Sequence, residues 1–202
     1  MQKKTAILID GSNFYFKLKD IDLEDQLLFD FKAFGAFLSQ GNHIAEYKYY
    51  IGAVKTDGTK KMKLMHATQQ QLFKHLQNSG INYELGYLLK SQGKYHEKGV
   101  DVHMALDILV NTYERKVDKI VLVSSDTDLI PAIRLALTKG VQVEYIGFSH
   151  QPSVALKSCC PSSKILTQKD IRRFTSQQPK PARSARLSTR TRKRSKRPAR
   201  PT

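Results

Sequence analysis

The sequence predicts an α/β fold: a three-layer α/β/α sandwich with a mainly parallel central sheet. Three observations predict it. Ile120–Val123 (IVLV) is a short apolar, β-branched run of the kind found in a strand covered on both faces of a parallel sheet. Other strand-like runs, such as Thr5–Ile9 (TAILI) and Val141–Gly147, alternate along the chain with segments whose apolar residues recur at helical spacing. Glycines close those segments, at Gly41, Gly80 and Gly140.

Taken in order, Thr5–Ile9 is the first strand and ends on Asp10-Gly11-Ser12-Asn13. Phe14, Phe16 and Leu18 follow as a helix start, and a loop runs through the acidic segment DIDLEDQ. Asp30–Ser39 is a helix with Phe31, Phe34, Phe37 and Leu38 along one side. His43–Val54, alternating and rich in tyrosine, is a strand. Thr59–Asn78 is a long amphipathic helix carrying Met62, Met65, Leu72, Phe73 and Leu76. Ile81–Leu89 is a strand, and Lys90–Gly99 is expected as a polar loop. Val100–Tyr113 is a helix with Val100, Met104, Ile108 and Leu109 near one face. The central strand, within Val117–Ile130, leads to a helix beginning near Thr127, marked by Leu129, Ile133 and Leu137. After Val141–Gly147, Pro152–Lys157 is a short helix and Lys164–Leu166 an edge strand. Thr167–Asp170 then forms a capping box before Ile171 and Phe174.

The chain has 202 residues, 40% of them hydrophobic, enough for one packed domain of ordinary size plus an extension. Its net charge of +16 is unevenly spread: residues 175–202 hold ten of the 34 basic residues and none of the 18 acids, which leaves +6 on residues 1–174. The expected division is a folded domain over 1–174 and an Arg/Lys-rich tail over 175–202. Rich in Pro, Arg, Ser and Lys, that tail cannot bury enough apolar surface to fold and is expected to be disordered. No apolar run approaches the roughly 20 residues that span a bilayer, and Asp10 cuts the N-terminal apolar run too short for a signal segment. Cys159 and Cys160 are adjacent and lack metal-ligand or disulfide-framework spacing, so a reducing cytoplasm is the expected compartment. The six histidines are dispersed and form no zinc pattern.

Carboxylates gather where strands end. Asp10 ends the first strand, Asp101 opens a helix after Lys98-Gly99, and Asp126 and Asp128 follow the central strand directly. In open α/β sheets the ligand crevice lies at the carboxyl ends of the strands. Asp is also a favoured helix cap, which alone accounts for one such residue. Two acids one residue apart are harder to explain as caps, because like charges raise each other's pKa unless a cation joins them. Together, four acids at three strand-end positions favour a hard-cation site, Mg²⁺ or Mn²⁺, over scattered capping. Asn13 is placed to orient a water or ligand, with a turn or cap as its plainer role.

Three blocks carry a family resemblance: ILIDGSNFY (Ile7–Tyr15), KGVDVHMALDIL (Lys98–Leu109) and VLVSSDTDLIPAI (Val121–Ile133), followed by Gly140-Val141-Gln142-Val143. Over roughly Thr5–Phe174 the sequence resembles the NYN domain family, LabA-like branch, within the PIN-like nuclease superfamily. The resemblance implies a PIN-like α/β/α sandwich and a Mg²⁺- or Mn²⁺-dependent ribonuclease site. Asp10, Asp101, Asp126 and Asp128 match the acidic metal-binding positions, and Asn13 matches the polar residue of the first motif. The middle block departs from the family in having His103 where hydrophobic or small residues are common.

Other residues have both a functional and a plain structural reading. Asp107 lies six residues past Asp101 and so on a different helix face, where a supporting role suits it better than a ligand role. Lys98 is placed to contact phosphate, or is an ordinary loop lysine. Lys60, Lys61 and Lys63 open a helix against its dipole, which fits a nucleic-acid-facing patch, although an exposed face is the commoner explanation. Tyr47, Tyr49 and Tyr50 are candidates for base stacking, but strand aromatics are more often core. Cys159-Cys160 is expected as local packing. The tail, including Arg190, Arg192, Lys193 and Arg194, suits salt-sensitive binding to a phosphate backbone, RNA first and DNA second. It carries no hydrophobic membrane anchor. The functional expectation is therefore a metal-dependent ribonuclease. A non-catalytic RNA- or DNA-binding protein of the same fold is the alternative. A phosphatase of the haloacid-dehalogenase type needs D-x-D at the first strand end, where this chain has Asp10-Gly11-Ser12.

Overall fold

The computed structural model describes residues 2–23, 25–91 and 94–175; the basic tail and its disorder lie outside the described residues. A seven-stranded sheet is covered by helices on both faces. Its strands are β1 (Lys4–Asp10), β2 (His43–Ala53), β3 (Asn82–Ser91), β4 (Lys94–Lys98), β5 (Lys119–Val123), β6 (Gln142–Phe148) and β7 (Ser162–Leu166). Their spatial order is β4-β3-β2-β1-β5-β6-β7. Every neighbouring pair is parallel except β3 and β4, which form an antiparallel hairpin. The predicted polar loop over Lys90–Gly99 is thus corrected: most of it extends β3 and builds β4, with Tyr87 opposite Lys98 and Ser91 opposite Lys94.

The helices are α1 (Gly11–Lys19), α2 (Phe31–Ser39), α3 (Lys60–Asn78), α4 (Val100–Tyr113), α5 (Ile130–Thr138), α6 (Val154–Cys159) and α7 (Gln168–Arg172). Their starts follow local chemistry. The side chains of Asp30, Thr59 and Ser153 accept from the third backbone N–H of α2, α3 and α6 respectively. Thr167 and Asp170 form the predicted reciprocal capping box before α7.

Alternation along the buried strands sorts side chains onto two cores. Ile7 and Ile9 of β1 and Val121 and Val123 of β5 face an aromatic layer with Phe14, Phe29, Phe31, Phe34 and Phe174, to which α1, α2, α3 and α7 contribute. The rings meet largely edge to face, as in Phe14–Phe29 at 5.2 Å between centroids. Ala6 and Leu8 of β1, with Ile120 and Leu122 of β5, face the opposite layer, where Val100, Met104 and Ile108 of α4 meet Leu129, Ile133 and Ala136 at α5. Met65 departs from its expected place on the buried stripe of α3 and is exposed. Among the described residues no helix is long and apolar enough to cross a membrane.

The chain moves from β1 outward through β2 to β3 on one side, and from β5 through β6 to β7 on the other. The order therefore reverses between β1 and β5, and their carboxyl ends are the place where open α/β sheets bind ligands.

Candidate functional site

The carboxyl ends of β1 and β5 are joined by one side chain that the sequence reading treated only as a strand end. Ser124 donates its hydroxyl to Asp10 Oδ2 at 2.9 Å, and its oxygen accepts the Asp126 N–H at 3.0 Å. Ser124 thus links the Asp10 carboxylate to the Asp126 backbone. Register explains why: Ile9 pairs with Val123, so Asp10 and Ser124 stand side by side, on the face that carries Ala6, Leu8, Ile120 and Leu122. The same level continues across the sheet. Asp10 is beside Tyr50, and Tyr50 is beside Glu84. Glu84 faces α4, with His103 Nδ1 at 3.9 Å from its carboxylate. Neither Ser124 nor Glu84 was singled out from sequence; the period-2 pattern of the strands was the only available signal for either.

Two of the candidate aspartates are also helix or turn caps. Asp10, only 5% exposed, accepts the Asn13 N–H at 2.9 Å and so caps α1 with one oxygen while Ser124 holds the other. Asp126 accepts the Asp128 N–H at 2.8 Å and caps the 3-10 turn Thr127–Leu129. Asp128 is exposed and Asp126 half-buried. Asn13 lies half-buried in the first turn of α1. Asp101 is the second residue of α4, where an acid is favoured by the helix dipole. Gly99 precedes it with φ +86, a left-handed conformation that suits glycine and turns the chain from β4 into α4. Gly11 has a different reason to be glycine: a Cβ there would lie 2.2 Å from a Tyr49 ring carbon and 2.6 Å from the Tyr50 carbonyl oxygen.

Asp107 is engaged behind the site. Its carboxylate accepts from Lys48 Nζ at 2.7 Å and from the Tyr50 hydroxyl at 2.6 Å. Lys48 also pairs with Glu46 at 3.1 Å, and Asn111 donates to Glu46. This polar ladder ties α4 to β2. Burial depresses the Lys48 pKa, but its bonds to Asp107 and Glu46 outweigh that and raise it overall. Burial raises the Tyr50 pKa strongly, and the Asp107 carboxylate raises it further, so the phenol stays a donor. The base-stacking reading of the three tyrosines is not supported: all are buried, with Tyr47 donating to the Phe31 carbonyl and Tyr49 to the Gly11 carbonyl. Cys160 is buried in the α4 and α5 layer, and that burial, with Cys159 adjacent, pushes its thiol up to about 12.

The nucleic-acid candidates are placed less tightly. Lys98, at the end of β4, is exposed. Lys60 and Lys61 are exposed at the start of α3, which belongs to the aromatic layer rather than the α4 side. Arg190, Arg192, Lys193 and Arg194 lie outside the described residues.

A hard cation suits the donors, which are carboxylate and hydroxyl oxygens at an open sheet edge. They do not form a closed cage: among the described residues no three His, Cys, Asp or Glu side chains stand close enough to share an ion. A cavity of about 680 Å³ lies elsewhere, around Glu46, Lys48, Asp107 and Asn111 at the amino-terminal ends of the strands. Its polar groups are largely engaged in the ladder that supports α4.

Comparison with known proteins agrees with the architecture. A Vibrio parahaemolyticus protein of unknown function superposes with a TM-score of 0.59 over 82% of this chain and 93% of its own, at 22% identity, a likeness of fold alone. An uncharacterized protein of Methanocaldococcus jannaschii is 28% identical over 157 residues, which cover 78% of this chain and 52% of the relative. The chain thus spans about half the length of that relative. The model of the NYN domain matches residues 4–166, and the PIN-like fold of that domain is the sandwich described above. The chain belongs to the NYN domain family.

Proposed function

We propose that the protein is a Mg²⁺- or Mn²⁺-dependent ribonuclease of the LabA-like branch, working in the cytoplasm. The observation that carries this reading is Ser124 linking the Asp10 carboxylate to the Asp126 backbone, which sets both aspartates at the strand ends where strand order reverses. Asp10, Asp101, Asp126 and Asp128 are the residues that would hold the metal, no more than two of them to one ion as they stand, with water and substrate phosphate oxygens completing the coordination. A bound ion of this kind supplies Lewis acidity and lowers the pKa of water, the chemistry phosphodiester hydrolysis needs. Ser124 holds one oxygen of the buried Asp10 carboxylate, and the Asn13 N–H holds the other. Asn13, in the first turn beside Asp10, would orient the attacking water, and Lys98 with the tail would hold the RNA backbone.

One observation favours the alternative, a non-catalytic RNA- or DNA-binding protein: no three acidic groups among the described residues converge tightly. The deciding experiment is cleavage of a labelled mixed-sequence RNA with and without Mg²⁺ or Mn²⁺, beside Asp126→Asn. Asparagine keeps the oxygen that caps Thr127–Leu129, so the variant removes charge while sparing the turn. Metal-dependent cleavage that the variant abolishes is expected. Tight RNA binding with no cleavage under either metal would move the assignment to the binding protein.

A further inference from the structure

We propose that the outer face of α4 is a self-association surface, on which a second copy of this chain packs its own α4 antiparallel. Val102, Leu106, Val110 and Tyr113 recur at i, i+4, i+8 and i+11, which aligns them along one side of the helix. They are 61%, 53%, 37% and 57% exposed. The stripe lies diametrically opposite Val100, Met104 and Ile108, which are buried against the sheet. A helix apolar on both faces is ordinarily covered on both. Among the described residues this one is covered on one, apart from Lys139, whose ammonium lies 5.4 Å from the Tyr113 ring centroid.

The occupant follows from what the stripe offers. Four side chains of this size put on the order of 300–400 Å² of apolar surface on one face, in the range where patches mark interaction sites. That is roughly half of the ~800 Å² per partner in a standard interface, and half-buried Leu109 with Ala105 extends it along one flank. The chain's own remaining segment is a poor occupant, because residues 176–202 contain a single large apolar residue, Leu187. A second copy is complementary. The stripe is close to symmetric about the midpoint between Leu106 and Val110, so a two-fold axis there sets Leu106 against Val110 and Val102 against Tyr113. The opposite flank carries His103 near one end, 3.9 Å from its own Glu84, and Glu114 near the other, 2.7 Å from its own Lys116, so antiparallel packing adds each histidine to the other copy's Glu114–Lys116 pair. The helix dipoles then also run in opposition.

The test is sedimentation velocity of the full chain from about 1 to about 200 µM, the range in which an interface of this modest area is expected to associate. The wild-type chain should pass from monomer to dimer. Leu106→Glu should stay monomeric throughout, because it sets two carboxylates into the apolar seam, while Leu106→Met should still dimerise. Leu106 is half in solvent, so both variants should keep the wild-type far-ultraviolet spectrum and melting temperature; Val102→Glu repeats the test if Leu106→Glu fails to fold. Leu64→Glu, on the exposed side of α3, should leave the dimer intact. A wild-type chain that stays monomeric at the highest concentration overturns the proposal. So does a dimer that survives both glutamates on α4, or one that Leu64→Glu dissolves.

Discussion

Replacing Ser124 by alanine removes one oxygen and breaks two hydrogen bonds, and this makes it the sharpest probe of the strand-end arrangement. The hydroxyl donates to a carboxylate that is almost fully buried and receives an N–H from the next structural unit. A hydrogen bond to a charged group contributes about 1.5–3 kcal/mol, and a buried N–H deprived of its acceptor costs on the order of 1–3 kcal/mol. Asp126 is only half-buried, so water recovers part of the second loss, and two bonds sharing an oxygen do not add in full. The expected destabilisation is about 2–4 kcal/mol, which for a domain of this size lowers the melting temperature by roughly 5–15 °C. Urea and thermal unfolding of Ser124→Ala beside Ser125→Ala would measure it. Ser125 makes no hydrogen bond among the described residues, and its alanine should stay within about 0.5 kcal/mol of wild type. A Ser124→Ala loss below about 0.5 kcal/mol, or a matching loss in Ser125→Ala, would refute the view that Ser124 holds the two aspartates together.

Four further outcomes are expected. Tyr50→Phe should cost about 1.5–3 kcal/mol in urea unfolding, since it deletes a buried donor to the Asp107 carboxylate. Lys48→Met should be destabilising in a pH-dependent way. The folded lysine pKa is raised above the usual 10.5, so its contribution is complete below that value and is lost as pH rises through the folded value. The gap between wild type and Lys48→Met should accordingly be constant from about pH 7 to about pH 9 and shrink only above about pH 10.5; a gap that widens with pH contradicts the assignment. Gly11→Ala should cost about 1–3 kcal/mol or more, because the new Cβ meets the buried Tyr49 ring and a backbone carbonyl that cannot both withdraw. Truncation after residue 174 should leave metal-dependent cleavage of short RNA in place while flattening the salt dependence of RNA binding; filter binding at several salt concentrations reads that slope.

The parts of this fold legible in the sequence were those encoded locally. The bounds of α4 follow from its apolar spacing, and the capping box from Thr167 standing three residues before Asp170, whose N–H its side chain accepts. β4 was missed because its five residues, KYHEK, are polar and flanked by glycines, the pattern of a loop; only pairing with β3 makes them a strand. The candidate site was half legible. Four aspartates at strand and helix ends stood out, but Ser124 did not, because its partner Asp10 is 114 residues away and only the register of β1 against β5 brings them together. Asp107 was readable as a supporting residue from helix geometry alone, whereas its partners Lys48 and Tyr50 required knowing that α4 lies on β2. The outward stripe of α4 was written in plain periodicity. A reading that looks for one buried face per helix passes over a second.

Site and core share a single register, and this bears on folding fidelity. Asp10 belongs to the same alternating set as Ala6 and Leu8, and Ser124 to that of Ile120 and Leu122. A one-residue slip of β1 would bury the Asp10 carboxylate toward the phenylalanine layer and push Ile7 and Ile9 into the opposite core, which is packed around Ala6 and Leu8. A misregistered molecule would thus be penalised by its hydrophobic interior before any loss of activity arose. The packing that selects the register also leaves the folded population uniform in its strand-end carboxylates.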